Sequence, residues 1–202
     1  MRWTELLLAG MAGWSALGGV GLGISAVRGE RAKVVRGTAW LVGVWVVYVA
    51  VLLGVSLAQP QRVLSPGQDQ CFGDLCYAVM GVDEVPEFFG RNQVGDGSRL
   101  VRVAVQVRNQ GKDSAEAEKL VRAYLLDERG RRWAEVPGLT GNRLTRPVAA
   151  GGVMVSEPVF KVAGDARGLA LGLTRGRWQP GVLVIGDSDS WWHKRTVVVL
   201  GR

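Results

Sequence analysis

The stretch from Thr38 to Ala58 reads TAWLVGVWVVYVAVLLGVSLA and contains 21 residues without a charged side chain. A second charge-free run of 22 residues extends from Leu6 to Val27. An α-helix rises about 1.5 Å per residue, so each run can cross the roughly 30 Å hydrocarbon core of a bilayer. Backbone groups in lipid must bond within the protein, so we predict two transmembrane helices, at about 6–27 and 38–58 of an N-terminal part that covers 1–59. Neither run contains Asp, Glu, Lys, Arg or His, which argues against an ion or proton pathway.

The connection between the two runs, residues 28–37, is rich in positive charge. Its basic residues are Arg28, Arg31, Lys33 and Arg36. Short loops with such an excess stay in the cytoplasm, so we expect the inner (cell) membrane as the location and an extracytoplasmic C-terminal domain, periplasmic or extracellular. The competing interpretation is a cleaved signal peptide at 6–27, which would place the large domain inside. That run is long for a signal peptide and no basic cluster precedes it.

Small residues recur at four-residue spacing in both apolar runs. They are Ser15, Gly19 and Gly23 in the first run and Ala50, Gly54 and Ala58 in the second. Small side chains let helix backbones approach closely in a membrane. We therefore expect an antiparallel transmembrane α-hairpin packed through these positions, and an oligomer formed through the same helices is a further expectation.

A predicted linker covers residues 60–70, where two prolines and one glycine favour an extended tether. The only cysteines, Cys71 and Cys76, follow it and flank Gly73-Asp74, which favours a tight turn. In an oxidising compartment the two sulfurs are expected to form one local disulfide. The alternative is a metal or redox site made by Cys71, Cys76 and His193, although the spacing is not the C-x-x-C of thioredoxin-like enzymes.

Residues 71–202 have the pattern of an all-β domain. The segment Leu100–Arg108 alternates, with valines at 101, 103, 105 and 107 on one face, as in a half-buried antiparallel strand. About seven or eight such short strands predict an antiparallel β-sandwich, and an OB-fold barrel is the structural alternative. The predicted strands include Leu120–Leu126 and Val182–Ile185. The predicted core includes Tyr124, Leu126, Phe160, Leu171, Leu183 and Ile185.

The segments Val101–Val107, Ala123–Gly130, Ala150–Gly152 and Val159–Val162 together resemble a bacterial family of Ig-like, telokin-like extracellular domains of unknown function. The resemblance covers roughly residues 75–175. It implies an Ig-like β-sandwich and an interaction or envelope module without a defined catalytic set. This chain departs from the family pattern in its two-helix anchor and in the Cys71 and Cys76 pair.

One polar and aromatic segment near the C-terminus offers candidate binding residues. Asp187 and Asp189 have a spacing that could ligate Ca²⁺, but the further oxygen ligands of an EF-hand are missing, so a polar turn is the alternative. Trp191, Trp192 and His193 follow and form a possible surface for a small ligand or a glycan. The alternative is a tryptophan that closes the end of the core.

The remaining motifs favour a non-catalytic protein. The sequence has no G-x-S-x-G elbow, P-loop or dinucleotide fingerprint. Its net charge of +7 comes without a basic stripe interleaved with aromatics, which argues against nucleic-acid binding. The cluster of Asp83, Glu84 and Glu87 is interpreted as a solvated loop. We therefore expect a membrane-anchored module that is not an enzyme, uses no cofactor, and has the bilayer and a protein or envelope component as partners.

Overall fold

The computed structural model describes residues 3–85, 97–175, 180–186, 190 and 192–201. The chain forms two compact units. The first, here the helical unit, comprises Met1–Pro60 and Arg177–Lys194. The second, here the sandwich unit, comprises Gln61–Gly176 and Arg195–Arg202.

The helical unit is built on two long helices, α1 (Trp3–Val27) and α2 (Arg31–Ala58). Both are long and apolar enough to cross a membrane. The connection between them is shorter than the predicted 28–37, because α2 already begins at Arg31. Gly29 turns the chain with a φ of 73°, a left-handed conformation that glycine adopts without a Cβ clash. Most of the basic residues of the predicted loop therefore lie on the first turns of α2.

The two helices pack along faces whose half-buried residues alternate three and four positions apart. On α1 these are Leu8, Met11, Ser15, Gly18, Leu22 and Ser25. A Cβ added to Gly18 would lie 3.2 Å from Leu41 Cδ1, and one added to Gly37 would lie 2.6 Å from Leu22 Cδ2. The Trp45 indole donates to Ser15 Oγ at 2.9 Å. An average period of 3.5 residues keeps this stripe on one face of each helix.

This packing differs from the predicted small-residue stripe at every position except Ser15. Gly19, Gly23 and Gly54 have no atom within 4 Å of an added Cβ. Ala50 and Ala58 are exposed. Each four-residue step turns the predicted stripe by about 40° on a helix of 3.6 residues per turn, whereas the alternation of three and four residues keeps the observed contacts on one face. The glycines in the contact are Gly18 and Gly37 instead.

The sandwich unit contains ten described strands in two sheets. They are β1 (Val63–Leu64), β2 (Asp69–Phe72), β3 (Leu75–Val85), β4 (Ser98–Asn109), β5 (Arg122–Leu126), β6 (Arg132–Ala134), β7 (Val153–Ser156), β8 (Val159–Ala163), β9 (Ala170–Thr174) and β10 (Val197–Val199). One sheet has the order β1-β10-β9-β5-β6. The other has the order β2-β3-β4-β7, and β8 also pairs with β4.

Strand β4 organises the second sheet. It pairs along its length with β3, and its other edge pairs with β8 near Ser98–Arg102 and with β7 near Val105–Arg108. Between β7 and β8, Pro158 has no amide hydrogen to donate, but its carbonyl accepts from Val103 N at 3.0 Å. One long strand therefore holds two short ones that a proline separates.

The core lies between the two sheets, and the predicted burial of the β4 valines is confirmed. Val101, Val103, Val105 and Val107 are each at most 1% exposed. Strand β5 has the opposite alternation to the prediction, because Leu125 is fully buried whereas Tyr124 and Leu126 are half-buried.

The alternation of β5 follows from the turn that ends it. Asp127 Oδ1 accepts from the backbone amides of Arg129 and Arg131, which needs the Asp127 side chain inside the turn. Period two then directs Leu125 inward and Leu126 outward.

The predicted fold class, two N-terminal apolar helices followed by a β-sandwich, is confirmed. Three details differ. The sheet is mixed, because β1 runs parallel to β10, and the described strands number ten rather than seven or eight. Part of the predicted linker 60–70 is sheet, since it contains β1 and the start of β2. The predicted strand Val182–Ile185 overlaps a 3₁₀ helix, Pro180–Leu183, that belongs to the helical unit, which also places Leu183 and Ile185 outside the sandwich core.

Candidate functional site

The two cysteines form a disulfide, as predicted. Cys71 on β2 and Cys76 on β3 are direct partners in the antiparallel register, with their Cα atoms 4.0 Å apart. The hairpin turns at Gly73, whose φ of 65° suits a residue without a Cβ. Both sulfurs are used in this bond, so neither is a free thiol in this state.

His193 belongs to the helical unit and not to the unit that carries the disulfide. It is half-buried, and its Nδ1 lies 3.4 Å from the backbone oxygen of Ser56 on α2. Within the part of the chain that the structure describes, no three His, Cys, Asp or Glu side chains are grouped as metal ligands. Asp187, Asp189 and Trp191 lie outside the described residues, so the calcium hypothesis stays a prediction.

Residues 180–186, 190, 192 and 193, which the structure describes and which are here called the α2-bound loop, pack on one face of α2. That face consists of Tyr48, Leu52 and Ser56, which are four residues apart and all less than 9% exposed. The Tyr48 hydroxyl donates to the Leu183 carbonyl at 2.7 Å. The hydroxyls of Ser56 and Ser190 lie 2.9 Å apart and share a hydrogen bond. The loop is therefore bound to the helix at two levels, eight residues apart along α2.

The part of this loop nearest Tyr48 is apolar. It reads Val182-Leu-Val-Ile185, with Val184 buried, Leu183 exposed and its other two side chains half-buried. Sequence analysis assigned this stretch to the sandwich because four β-branched or aliphatic residues in a row favour a strand. Its preceding Pro180-Gly181 was the local signal against a regular strand.

Trp192 is the described member of the predicted aromatic surface, and it is 64% exposed. It is also the one non-glycine residue in the described chain with a positive φ, 68°. A bulky side chain in that region is strained. Such strain persists where surrounding contacts fix the conformation, and it is common at functional sites. Trp192 is thus held outward and does not close the core.

The acidic residues at the end of β3 are ion-paired with β4. Asp83 Oδ2 lies 3.4 Å from an Arg102 guanidinium nitrogen, and Glu84 bonds to Arg99. Both carboxylates are more than half exposed, so they form surface pairs of small energetic value. Glu87, the third residue of the predicted cluster, lies outside the described residues.

A second charged cluster joins the β5–β6 turn to the segment after β8, and sequence analysis missed it. Arg131 binds Asp127 and Asp165 at 2.8 and 2.9 Å, and Arg129 also binds Asp165 at 2.8 Å. Burial would raise the pKa of Asp127, but its hydrogen bonds from Arg131 and Arg129 hold that pKa below its usual value. The Arg131 hydrogen bond likewise lowers the pKa of Asp165. The cluster closes a turn, and the Asp127-x-x-Gly130 pattern was its only sequence signal.

Comparison with known proteins gives structural neighbours but no family. No protein-family model matches the sequence, and the search of curated proteins found no significant match. An uncharacterized β-sandwich protein from Clostridium difficile 630 shares 6% identity, with 71% of this chain and 96% of that chain covered at a TM-score of 0.46. The secreted protein MPT63 from Mycobacterium tuberculosis shares 8% identity, with 70% and 99% covered at a TM-score of 0.46.

A conserved hypothetical protein from Bacillus anthracis shares 14% identity, with 55% and 88% covered at a TM-score of 0.42. All three likenesses are remote. The description of this domain as a sandwich therefore rests on its own strand pairing.

Proposed function

We propose that α1 and α2 anchor this protein in a membrane and display the sandwich unit outside the cytoplasm as a non-catalytic, Ig-like interaction module. The observation that carries the anchor is the exposed apolar surface of both helices. Trp14 and Leu17 on α1 are 61% and 73% exposed, and Trp40 and Val47 on α2 are 66% and 64% exposed. A contiguous apolar surface of this kind is unfavourable in water and favourable in lipid.

The contact between α1 and α2 supports a retained hairpin over a cleaved signal peptide. Trp45 donates to Ser15, and the Gly18 backbone lies against Leu41. Cleavage after α1 would remove the partner of this half-buried face of α2. An oligomer formed through the same helices stays a prediction.

The side on which the sandwich unit stands is inferred from charge and redox chemistry. Arg28, Arg31, Lys33 and Arg36 lie at the connected ends of the helices, and basic residues at such ends favour the cytoplasmic side. The Cys71–Cys76 disulfide supports an oxidising compartment for the sandwich unit. Both arguments favour an extracytoplasmic domain on the outer face of the inner (cell) membrane.

A non-catalytic interaction role is inferred for the sandwich unit because the acidic side chains at the end of β3 and in the β5–β6 turn are used in contacts within the fold. The acidic residues of β3 are paired with arginines of β4, and Asp127 closes a turn. A protein or envelope component is the proposed partner. Two alternatives remain proposals of lower rank, a metal or redox role of Cys71, Cys76 and His193, and ligand or glycan binding through Trp191 and Trp192.

Reporter fusions in cells test the anchor and its sidedness. Alkaline phosphatase fused after the last residue is expected to be active, and green fluorescent protein at the same place is expected to be dark. The matched control inserts both reporters after Gly29, where the opposite pattern is expected. The full chain should also remain in the membrane pellet after alkaline carbonate extraction. Fluorescence from the C-terminal fusion, or release by carbonate, would contradict the proposal.

Proximity labelling tests the interaction role. A peroxidase fused to the C-terminus should label a defined set of neighbours in intact cells. The control is the same fusion carrying Leu125→Asp, which places a charge at a fully buried position of β5 and unfolds the sandwich unit. Neighbours that disappear in the control depend on the folded sandwich. Identical label sets would contradict an interaction role for this unit.

A further inference from the structure

The position of Tyr48 along α2 determines how deep in a membrane the α2-bound loop would lie. Arg36 is the last charged residue before Arg62, and Tyr48 lies twelve residues after Arg36. At about 1.5 Å per residue, Tyr48 is about 18 Å along the helix from Arg36. A hydrocarbon core of about 30 Å that begins at Arg36 therefore continues about 12 Å beyond Tyr48, which exceeds the length of a tyrosine side chain.

Leu183 must share this depth, because its carbonyl oxygen accepts a hydrogen bond from the Tyr48 hydroxyl at 2.7 Å. The second contact, between the hydroxyls of Ser56 and Ser190, lies further along α2. Ser56 is twenty residues after Arg36, about 30 Å along the helix, where the hydrocarbon core ends. Ser190 and His193 are bound at that upper level, through the Ser56 hydroxyl and the Ser56 carbonyl.

We propose that residues Val182–Ile185 of the α2-bound loop are themselves embedded in the bilayer, with Leu183 among the acyl chains of the outer leaflet and Trp192 at the boundary with the headgroups. The proposal rests on the membrane anchoring proposed above. The proposed surroundings are lipid and not a protein partner, because the exposed side chains on α2 next to Tyr48 and in the loop are apolar, namely Val47, Val51 and Leu183.

The chemistry of the loop fits each level. The four residues Val182–Ile185 near Tyr48 have no polar side-chain atom, and Leu183 is 36% exposed. The polar side chains of the loop that the structure describes, Ser190 and His193, lie at the level of Ser56. Trp192 is 64% exposed between them in sequence, and tryptophan is enriched at the membrane–water boundary.

Part of the loop backbone is suited to membrane depth. Such backbone is tolerated at membrane depth only where its polar groups are satisfied by protein. Residues Pro180–Leu183 form a 3₁₀ helix, proline brings no amide hydrogen, and the Leu183 carbonyl is satisfied by Tyr48. In the chain, the loop lies between β9 and β10.

Spin labels on the full chain in phosphatidylethanolamine and phosphatidylglycerol vesicles test the proposal. Three single-cysteine additions are compared, Leu183→Cys in the loop, Val47→Cys on the exposed face of α2, and Val153→Cys on an exposed position of β7. The native cysteines are protected in their disulfide and stay unlabelled without a reductant. The readout is the ratio of collisions with oxygen, which concentrates in lipid, to collisions with a water-soluble nickel chelate.

The expected result is an oxygen-to-nickel ratio at Leu183→Cys that is several-fold above that of Val153→Cys and close to that of Val47→Cys. A low ratio at Leu183→Cys with a high ratio at Val47→Cys would overturn the embedded loop and leave the anchor in place. Low ratios at both positions would overturn the anchor and the embedded loop together.

Discussion

The two units of this chain place the same kinds of side chain in opposite environments. On the sandwich unit, the side chains that face the space between the sheets include Val103, Val105 and Leu125, which are fully buried. On the helical unit, Val47 and Leu17 point outward and are 64% and 73% exposed. The sandwich buries its apolar groups in itself, whereas the helices present them to their surroundings. Hydrophobicity alone therefore does not define a core, and the exposed apolar residues of the helical unit are what a lipid environment would accommodate.

The largest expected effect concerns a buried leucine of the sandwich. Leu125→Ala removes a fully buried side chain between the sheets and should lower the free energy of unfolding by about 3 to 4 kcal/mol. Its neighbour Leu126 is half-buried on the other face, so Leu126→Ala should cost about 1 kcal/mol or less. Urea unfolding of the detergent-solubilised chain measures both. Equal losses would show that the alternation of β5 is not as described.

The second prediction compares two exposed valines, one on the helical unit and one on the sandwich unit. Val47→Lys puts a charge near the centre of α2 and should raise the apparent free energy of membrane insertion by about 2.5 to 3 kcal/mol. Val153→Lys changes a similarly exposed valine of β7 and should alter stability by no more than about 0.5 kcal/mol. Glycosylation-reporter insertion assays and unfolding measure the two. An undisturbed insertion of Val47→Lys would contradict the lipid environment of α2.

A smaller effect is expected from the disulfide of the sandwich. Loss of the bond in a Cys71→Ser/Cys76→Ser variant should lower the free energy of unfolding by about 2 kcal/mol, the value that the chain-entropy model gives for so short a loop. The native, non-reduced protein should contain no reactive thiol. Two titratable thiols per chain in that protein would contradict the disulfide.

The smallest effect is visible only at alkaline pH. Burial raises the pKa of Tyr77, and the negative charge of Glu118 raises it further. The pKa of this phenol is higher in the folded state than the unfolded value of about 10, so its contribution to stability is complete below about pH 10. Above that pH, the contribution falls by up to about 1.4 kcal/mol per pH unit. Unfolding of wild type and Tyr77→Phe between pH 8 and 11 compares the two. Parallel curves above pH 10 would contradict the shift.

The sequence predicted those features that repeat over many residues. Charge-free runs identified both helices, and alternating valines identified β4 with the correct face inward. Features set by single contacts were missed. The inward face of β5 depends on how Asp127 closes its turn. The packing glycines, Gly18 and Gly37, depend on a 3.5-residue stripe that competes with an equally visible four-residue one.

The candidate site shows the same limit. The disulfide was predictable because its partners are close in sequence. The α2-bound loop was not, since Tyr48 and Leu183 are 135 residues apart and a four-residue aliphatic run suits a strand as well as a membrane loop. Whether Trp192 is exposed or closes the core was also left open, because contacts between residues far apart in sequence decide it.

The most direct test of the central claim, a membrane hairpin that displays a sandwich outside, is labelling with a membrane-impermeant maleimide in intact cells. Lys33→Cys lies on the first turn of α2, where the Lys33 side chain is 72% exposed, and Val153→Cys lies on β7. The account predicts that Val153→Cys is labelled in intact cells and that Lys33→Cys is labelled only after permeabilisation. Labelling of Lys33→Cys in intact cells, with Val153→Cys protected until lysis, would contradict it.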